Sequence, residues 1–337
     1  MPNLPKPRLR RTARSRGGVV TRPSEPERPN VEVVEFAPQD GRELRWINIE
    51  RPRPVDRAWL EEHFDFHPLD YEDVYSRNQR PKVDEYDDYL FVVLHFPAYD
   101  KTVGRLNAAE LDVFVGPDYV ITLPNEPIQP LEYLFERCRT RDDLREQLFS
   151  KGPGYLLYKI VDDCVDASFP MLRKMGNKLE RLEDDIFEGE RPAEIVRDIS
   201  NVKQEIINFR RVVRPQRAAL KDLEATKRYI PDDLEIYFDD INDASERIWD
   251  MLENYKEVVE ALESTNEAVL SHRLNDTFRI LTAISVIVLP LTLIASIWGM
   301  NSRVPGQGTH EGFWVVMGIM VVVLVATIAL FRRRGWL

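Results

Sequence analysis

No residue from Ile280 to Met300 carries a formal charge. At 1.5 Å per residue that stretch, wound as a helix, is long enough to cross the hydrocarbon core of a bilayer. A second apolar run, Phe313 to Phe331, follows almost at once, with only Ser302 to Gly312 between them. So short a connection makes the two a tight antiparallel hairpin. Arg332, Arg333 and Arg334 follow the second run, whereas the connecting loop, with Arg303 and Glu311, is close to neutral. The positive-inside rule therefore places the loop outside and the C-terminus in the cytoplasm of a cell or inner membrane. Two crossings return the chain to its starting side, so the residues before the first crossing are expected to be cytoplasmic as well.

The first crossing is not uniformly apolar. Thr282, Ser285, Thr292 and Ser296 interrupt it, and at about 100° per residue all four fall within an arc of roughly 80°. Asn275, Phe278, Leu281, Leu289 and Gly299 lie on or beside the same arc. Hydroxyls gain nothing from facing lipid and favour a bundle interior or a water-filled cavity. This stripe reads as a pore wall. One or two copies of a two-crossing hairpin cannot enclose a channel, so several copies are required.

Residues 275–301, NDTFRILTAISVIVLPLTLIASIWGMN, resemble the pore helix of the CorA family of divalent-metal transporters. The family signature, Gly-Met-Asn, stands at Gly299, Met300 and Asn301. Trp298 before it, Pro290-Leu291-Thr292 and the ending Arg332 to Leu337 also match. So does Gln79-Arg80-Pro81-Lys82-Val83, followed by Tyr89-Leu90-Phe91, in the region before the helices. The tripeptide alone would carry little. Its place at the end of the first of two crossings, after a long charged helical region, gives it specificity. The resemblance spans residues 31–337 and implies a homopentamer.

Elsewhere the chain is strongly polar. Residues 1–30 hold eight Lys/Arg against two Glu, so the remaining 307 residues carry about −17 of the net −11. A cytoplasmic portion that acidic is unsuited to nucleic acid and suited to cations. Cys138 and Cys164 lack metal-ligand spacing and fit reduced, buried thiols. No secretory signal opens the sequence.

The expected architecture is an α+β membrane protein, a cytoplasmic α/β domain with long helices leading into a two-helix transmembrane hairpin. Residues 1–30 read as a disordered basic tail that could touch anionic lipid. Residues 31–150 form the α/β domain, with strands at Val31–Phe36, Leu44–Ile49, Tyr89–Phe96, Leu111–Val115 and Tyr119–Leu123. Short helices fall at Val55–Phe64 and Pro68–Ser76. Residues 151–230 form a helical hairpin, from helices over 154–188 and 192–226. Residues 231–301 form the stalk and pore-lining crossing as one helix from Asp232 to Met300. The loop 302–312, the second crossing 313–331 and a basic cytoplasmic tail 332–337 complete the chain.

Asn301 is the sharpest site residue. A hydrated Mg²⁺ releases water reluctantly, so neutral amide oxygens can select it through its hydration shell, where a carboxylate ring could hold it too tightly to leave. The bland alternative is a helix cap. Gly299 permits close backbone approach, and Met300 is expected to pack on a neighbouring helix. Thr292 and Asn275 would form further polar rings, and the resemblance implies a hydrophobic gate at Phe278 and Leu281. It also implies regulatory Mg²⁺ bridging adjacent subunits, with Glu72 and Asp73 matching one half and Asp162 and Asp240 the other. Oxygen ligands without His or Cys suit a hard cation. A solvated helix face is the alternative at each acid.

His63 and His67 have the spacing of a metal pair, but Pro68 and the lack of a third soft ligand argue against zinc there. His310-Glu311 could meet incoming metal. The outer loop, Val304 to Gly308, resembles loops of the family's zinc-transporting branch, ZntB. The expected function is thus passive uptake of divalent cations, Mg²⁺ first with Co²⁺ or Ni²⁺. Zn²⁺ transport of the ZntB kind is the nearest alternative, and a non-conducting metal sensor the one from another class. Nothing resembles a nucleotide loop or a catalytic constellation, so no enzyme is expected.

Overall fold

The computed structural model describes residues 28–37, 43–76, 79–100, 105–188, 192–226, 228–300 and 309–334. Six strands form one mixed sheet: β1 Glu32–Phe36, β2 Leu44–Asn48, β3 Lys82–Glu85, β4 Leu90–Asp100, β5 Arg105–Val115 and β6 Tyr119–Pro124. Their order across the sheet is β1-β2-β6-β5-β4-β3, and only β2 and β6 run parallel. Alternation along β4 explains why both faces are covered. Leu90, Val92 and Leu94 enter one core while Phe91 and Val93 enter the other, as a period of two demands.

The second face takes two short helices, α1 Pro54–His63 and α2 Pro68–Tyr75. Each opens with proline at its first helical position, where a missing N–H costs nothing. Asp56 accepts the Arg53 amide at 2.8 Å, and the His67 side chain accepts the Leu69 amide. Tyr71 and Val74 anchor α2 on the sheet. The first face takes α3 Gln129–Thr140, α4 Asp142–Phe149 and α5 Pro153–Asp166, then the bundle of α6 Ser168–Glu188, α7 Pro192–Ala225 and α8 Glu235–Trp298. A 3₁₀ turn, Asp232–Leu234, precedes α8.

Two differences from the sequence expectation have clear causes. The helix expected over 154–188 breaks between α5 and α6, because Pro170 has no N–H for the Asp166 carbonyl. The short, charged β3 was not anticipated. It lies at the sheet edge, where a polar strand is favoured.

α8 positions everything that follows. It spans 64 residues, about 95 Å. Its first half is held by apolar contacts through Phe238, Ile248, Leu252, Val259 and Leu262. Ion pairs from α7 tie it laterally: Lys203 to Glu263 at 2.6 Å, and Arg210 to Glu253 at 2.5 Å. From residue 267 to 282 none of its residues is buried. α9, His310–Arg333, then packs on α8 and buries Ala283, Val316 and Phe331. Both helices are long and apolar enough to cross a membrane.

Candidate ion pathway and regulatory acids

On the apolar half of α8, Ala283 is fully buried and Ile287, Pro290, Leu291, Ile294 and Trp298 are half-buried. These residues share the face turned to α9. Asn275, Phe278, Leu281, Thr282, Ser285, Leu289, Thr292, Ser296 and Gly299 are all exposed, about 180° around the helix from that face at 100° per residue. The hydroxyl stripe is therefore the side its own hairpin leaves uncovered.

Two of the hydroxyls have a defined polarity. Ser285 donates to the Leu281 carbonyl at 2.9 Å, and Thr292 donates to Leu289 at 2.8 Å and Val288 at 3.1 Å. With their protons spent on the helix, these oxygens offer lone pairs outward. Outward acceptors are what the water hydrogens of a hydrated cation need. α8 ends at Trp298, and the Gly299 amide donates back to the Ala295 carbonyl at 2.9 Å. Gly299 and Met300 are exposed at this end. Asn301 and the loop through Gly308 lie outside the described residues. His310 and Glu311 are exposed in the first turn of α9, which Thr309 caps by accepting the Gly312 amide at 3.2 Å.

Glu72 and Asp73 project from α2 on the side opposite its buried Tyr71 and Val74. The Lys82 ammonium, on the edge strand β3, bridges Asp73 at 2.7 Å and Asp84 at 2.5 Å. Burial works to lower the Lys82 pKa, but its hydrogen bonds to Asp73 and Asp84 outweigh this and raise it. Beneath lies Asp112, buried, its Oδ1 without a hydrogen-bond partner among the described residues. Burial first, then the charges of Glu110 and Asp73, push the Asp112 carboxyl well above the usual range.

The other acids gather where α5 meets α8. Tyr237 packs against Tyr155 and Tyr158, with centroids 5.5 and 4.9 Å apart, and Phe238 touches Tyr158. Gly154 makes that approach possible, since a Cβ there would lie 1.9 Å from the Tyr229 carbonyl oxygen. Asp162 is half-buried on α5 and Asp240 exposed on α8. Lys159 bridges Asp162 and Asp163, both at 2.8 Å. Burial and the charges of Asp162, Asp163 and Asp240, opposed by Lys159, raise the Asp166 carboxyl. Within this chain, then, Glu72 and Asp73 form one acidic surface and Asp162 and Asp240 another. No three His, Cys, Asp or Glu side chains among the described residues converge as a metal site.

Sequence reasoning passed over Lys82, Lys159, Asp166 and Asp112. The i,i+3 and i,i+4 spacing of Lys159 to Asp162 and Asp163 was a readable helix signal. The Lys82–Asp73 pair joins a helix to a strand and had none. His63 ends α1, stacks on Trp59 and contacts its carbonyl at 2.8 Å, while His67 caps α2. A helix break thus separates them. Cys138 and Cys164 are buried free thiols, and burial pushes Cys138 up to about 11.

Residues 41–333 match the family described as CorA-like Mg2+ transporter protein. The chain is 31% identical over 301 residues to the cobalt/magnesium transport protein CorA of Thermotoga maritima, covering 87% of this chain and 83% of that one. Among solved structures, the CorA magnesium transporter of Methanocaldococcus jannaschii superposes with a TM-score of 0.78 at 24% identity, covering 90% of this chain and 94% of the other. The full-length CmaX protein does so at 0.71 and 21%, covering 89% and 91%. At these identities the two structures speak for the fold.

Proposed function

The chain belongs to the CorA-like family of divalent-metal transporters, and from that premise we propose that it is a homopentameric channel for passive Mg²⁺ and Co²⁺ uptake. Five α8 helices line the axis with their hydroxyl stripes, and Gly299-Met300-Asn301 forms the outer selectivity filter. Both termini lie in the cytoplasm. The observation that carries this reading is the uncovered stripe, which runs opposite the α9 face with hydroxyl oxygens offered outward. A membrane anchor has no use for such a surface.

Asn301 amides contact the hydration shell of the ion, and Thr292 and Asn275 provide further polar rings. Phe278 and Leu281, exposed at 62% and 58%, form apolar rings that close the path by dewetting. The membrane potential drives a dication inward, at about 2.3 kcal/mol per charge per 100 mV.

Closure depends on regulatory Mg²⁺ held between neighbours, by Glu72 and Asp73 of one subunit and Asp162 and Asp240 of the next. The donor set fits a hard cation, being oxygen throughout, and each protomer presents its two parts on separate surfaces, as a shared site requires. Filled sites favour the closed ring, and emptying them removes the bias.

Replacing Asn301 by Ala is expected to abolish Mg²⁺ flux into liposomes while the oligomer persists. Undiminished flux refutes the filter. Parallel assays with Co²⁺, Ni²⁺ and Zn²⁺ decide cargo, and preference for Zn²⁺ would move the protein to the zinc-carrying reading.

A further inference from the structure

The two acidic surfaces share a device that the regulatory reading does not use. In each, a lysine of the same protomer already sits between two carboxylates, one of them a proposed Mg²⁺ ligand. On α2 and β3 it is Lys82, 2.7 Å from Asp73 and 2.5 Å from Asp84. On α5 it is Lys159, 2.8 Å from both Asp162 and Asp163. The surfaces come from different elements, so the repetition is not a by-product of one local motif. Neither lysine is freely solvated: their side chains are 32% and 30% exposed, and Asp73 and Asp162 only 19% and 17%.

One further contact holds Lys82 in place. Its ammonium lies 5.3 Å from the centroid of the Phe91 ring, where cation–π attraction favours it. Lys159 is held by its own helix, one turn before both of its acids.

We propose that Lys82 and Lys159 are tethered counter-cations that compete with Mg²⁺ for the regulatory carboxylates and so set the internal Mg²⁺ concentration at which the channel shuts. The proposal rests on the regulatory reading above. An ammonium on the Asp73 and Asp162 oxygens must move aside, or remain as a like charge beside the dication, when Mg²⁺ is held there. Either way it weakens the site. Without it two acidic surfaces would bind Mg²⁺ at lower concentration and keep the ring closed too readily. With it, closure waits for more Mg²⁺.

The test uses the full-length protein in detergent or nanodiscs, with Mg²⁺ alone as probe. Protection of the cytoplasmic portion from protease is titrated against Mg²⁺, and flux shut-off is measured in parallel after reconstitution into liposomes. Lys82→Gln and Lys159→Gln are each expected to move both midpoints to roughly three- to tenfold lower Mg²⁺, the scale of a partly screened ion pair. Lys82→Arg and Lys159→Arg, which keep the charge, should stay near wild type.

The direction separates competition from damage, because a loosened fold would need more Mg²⁺, not less. Lys82→Met, which keeps an apolar stem near Phe91, guards against misfolding and should shift as Gln does. Unchanged or raised midpoints in the Gln and Met variants overturn the proposal. Asp73→Asn and Asp240→Asn identify which idea has failed. If they abolish the Mg²⁺ response while the lysine variants do nothing, competition is wrong and the regulatory site stands. If they too leave the response intact, the regulatory reading itself falls.

Discussion

The sheet and the membrane half of α8 solve opposite problems. Each face of the sheet is covered by helices of the same chain, and Leu90 to Leu94 are buried at every position, alternating between two cores. On α8, α9 covers one side only, and the hydroxyl-bearing side is left open. One region is completed by its own sequence. The other leaves a polar stripe open, which under the proposed function is completed by copies of the same chain. Stability and function are therefore written in different places, and mutations should separate them.

The largest effect expected on that contrast is at Phe91, fully buried and stacked 4.6 Å from Phe114. Phe91→Ala should cost about 3–5 kcal/mol by cavity formation, measured by denaturant unfolding of the sheet-containing domain. Phe278→Ala, on the open stripe, should leave that unfolding curve in place while increasing Mg²⁺ leak at high internal Mg²⁺. Equal destabilisation by both would erase the distinction.

Asp112 offers a sharper version, because it is an ionisable carboxyl buried within the completed region. Its folded pKa is raised, so its contribution to stability is full below the unfolded value, near 3.9, and is lost as pH rises through the folded value. Asp112→Asn should stabilise the protein by about 1–3 kcal/mol at pH 8, with the gain shrinking toward pH 5. Thermal melts across that range would show it, and a pH-independent difference would exclude burial of the charge as the cause.

The smallest effect compares two threonines with the same backbone hydrogen bonding. Thr292 on α8 and Thr327 on α9 each donate to carbonyls three and four residues back. Thr292→Val should reduce flux by roughly two- to tenfold, about one hydrogen bond to the passing shell, and Thr327→Val should not. Matching losses would remove the stripe from the pathway.

The membrane hairpin was legible because an uncharged run from Ile280 to Met300 has few soluble uses, and the stripe because 100° spacing is rigid. The sheet was legible from the apolar runs in β2, β4, β5 and β6. What escaped was written in weaker physics. β3 is four residues, three of them charged, and becomes a strand only through β4 beside it. α3 was also not expected, although Leu131, Leu134, Phe135 and Cys138 stand at helical spacing, a signal the sequence does carry. The Lys82 bridges depend on α2 lying beside β3, a contact that no local pattern encodes. The sequence pointed to acids at Asp73 and Asp162; for Asp73, only three-dimensional packing showed it already accompanied.

The unbroken course of α8 from Asp240 to Trp298 has a mechanical meaning. A rod of nearly 90 Å is a lever, and a swing of about 3° around its sheet end carries the far tip about 5 Å sideways. A displacement too slight to disturb a carboxylate's surroundings at one extremity is thus comparable, at the other, with the width of a water molecule or two.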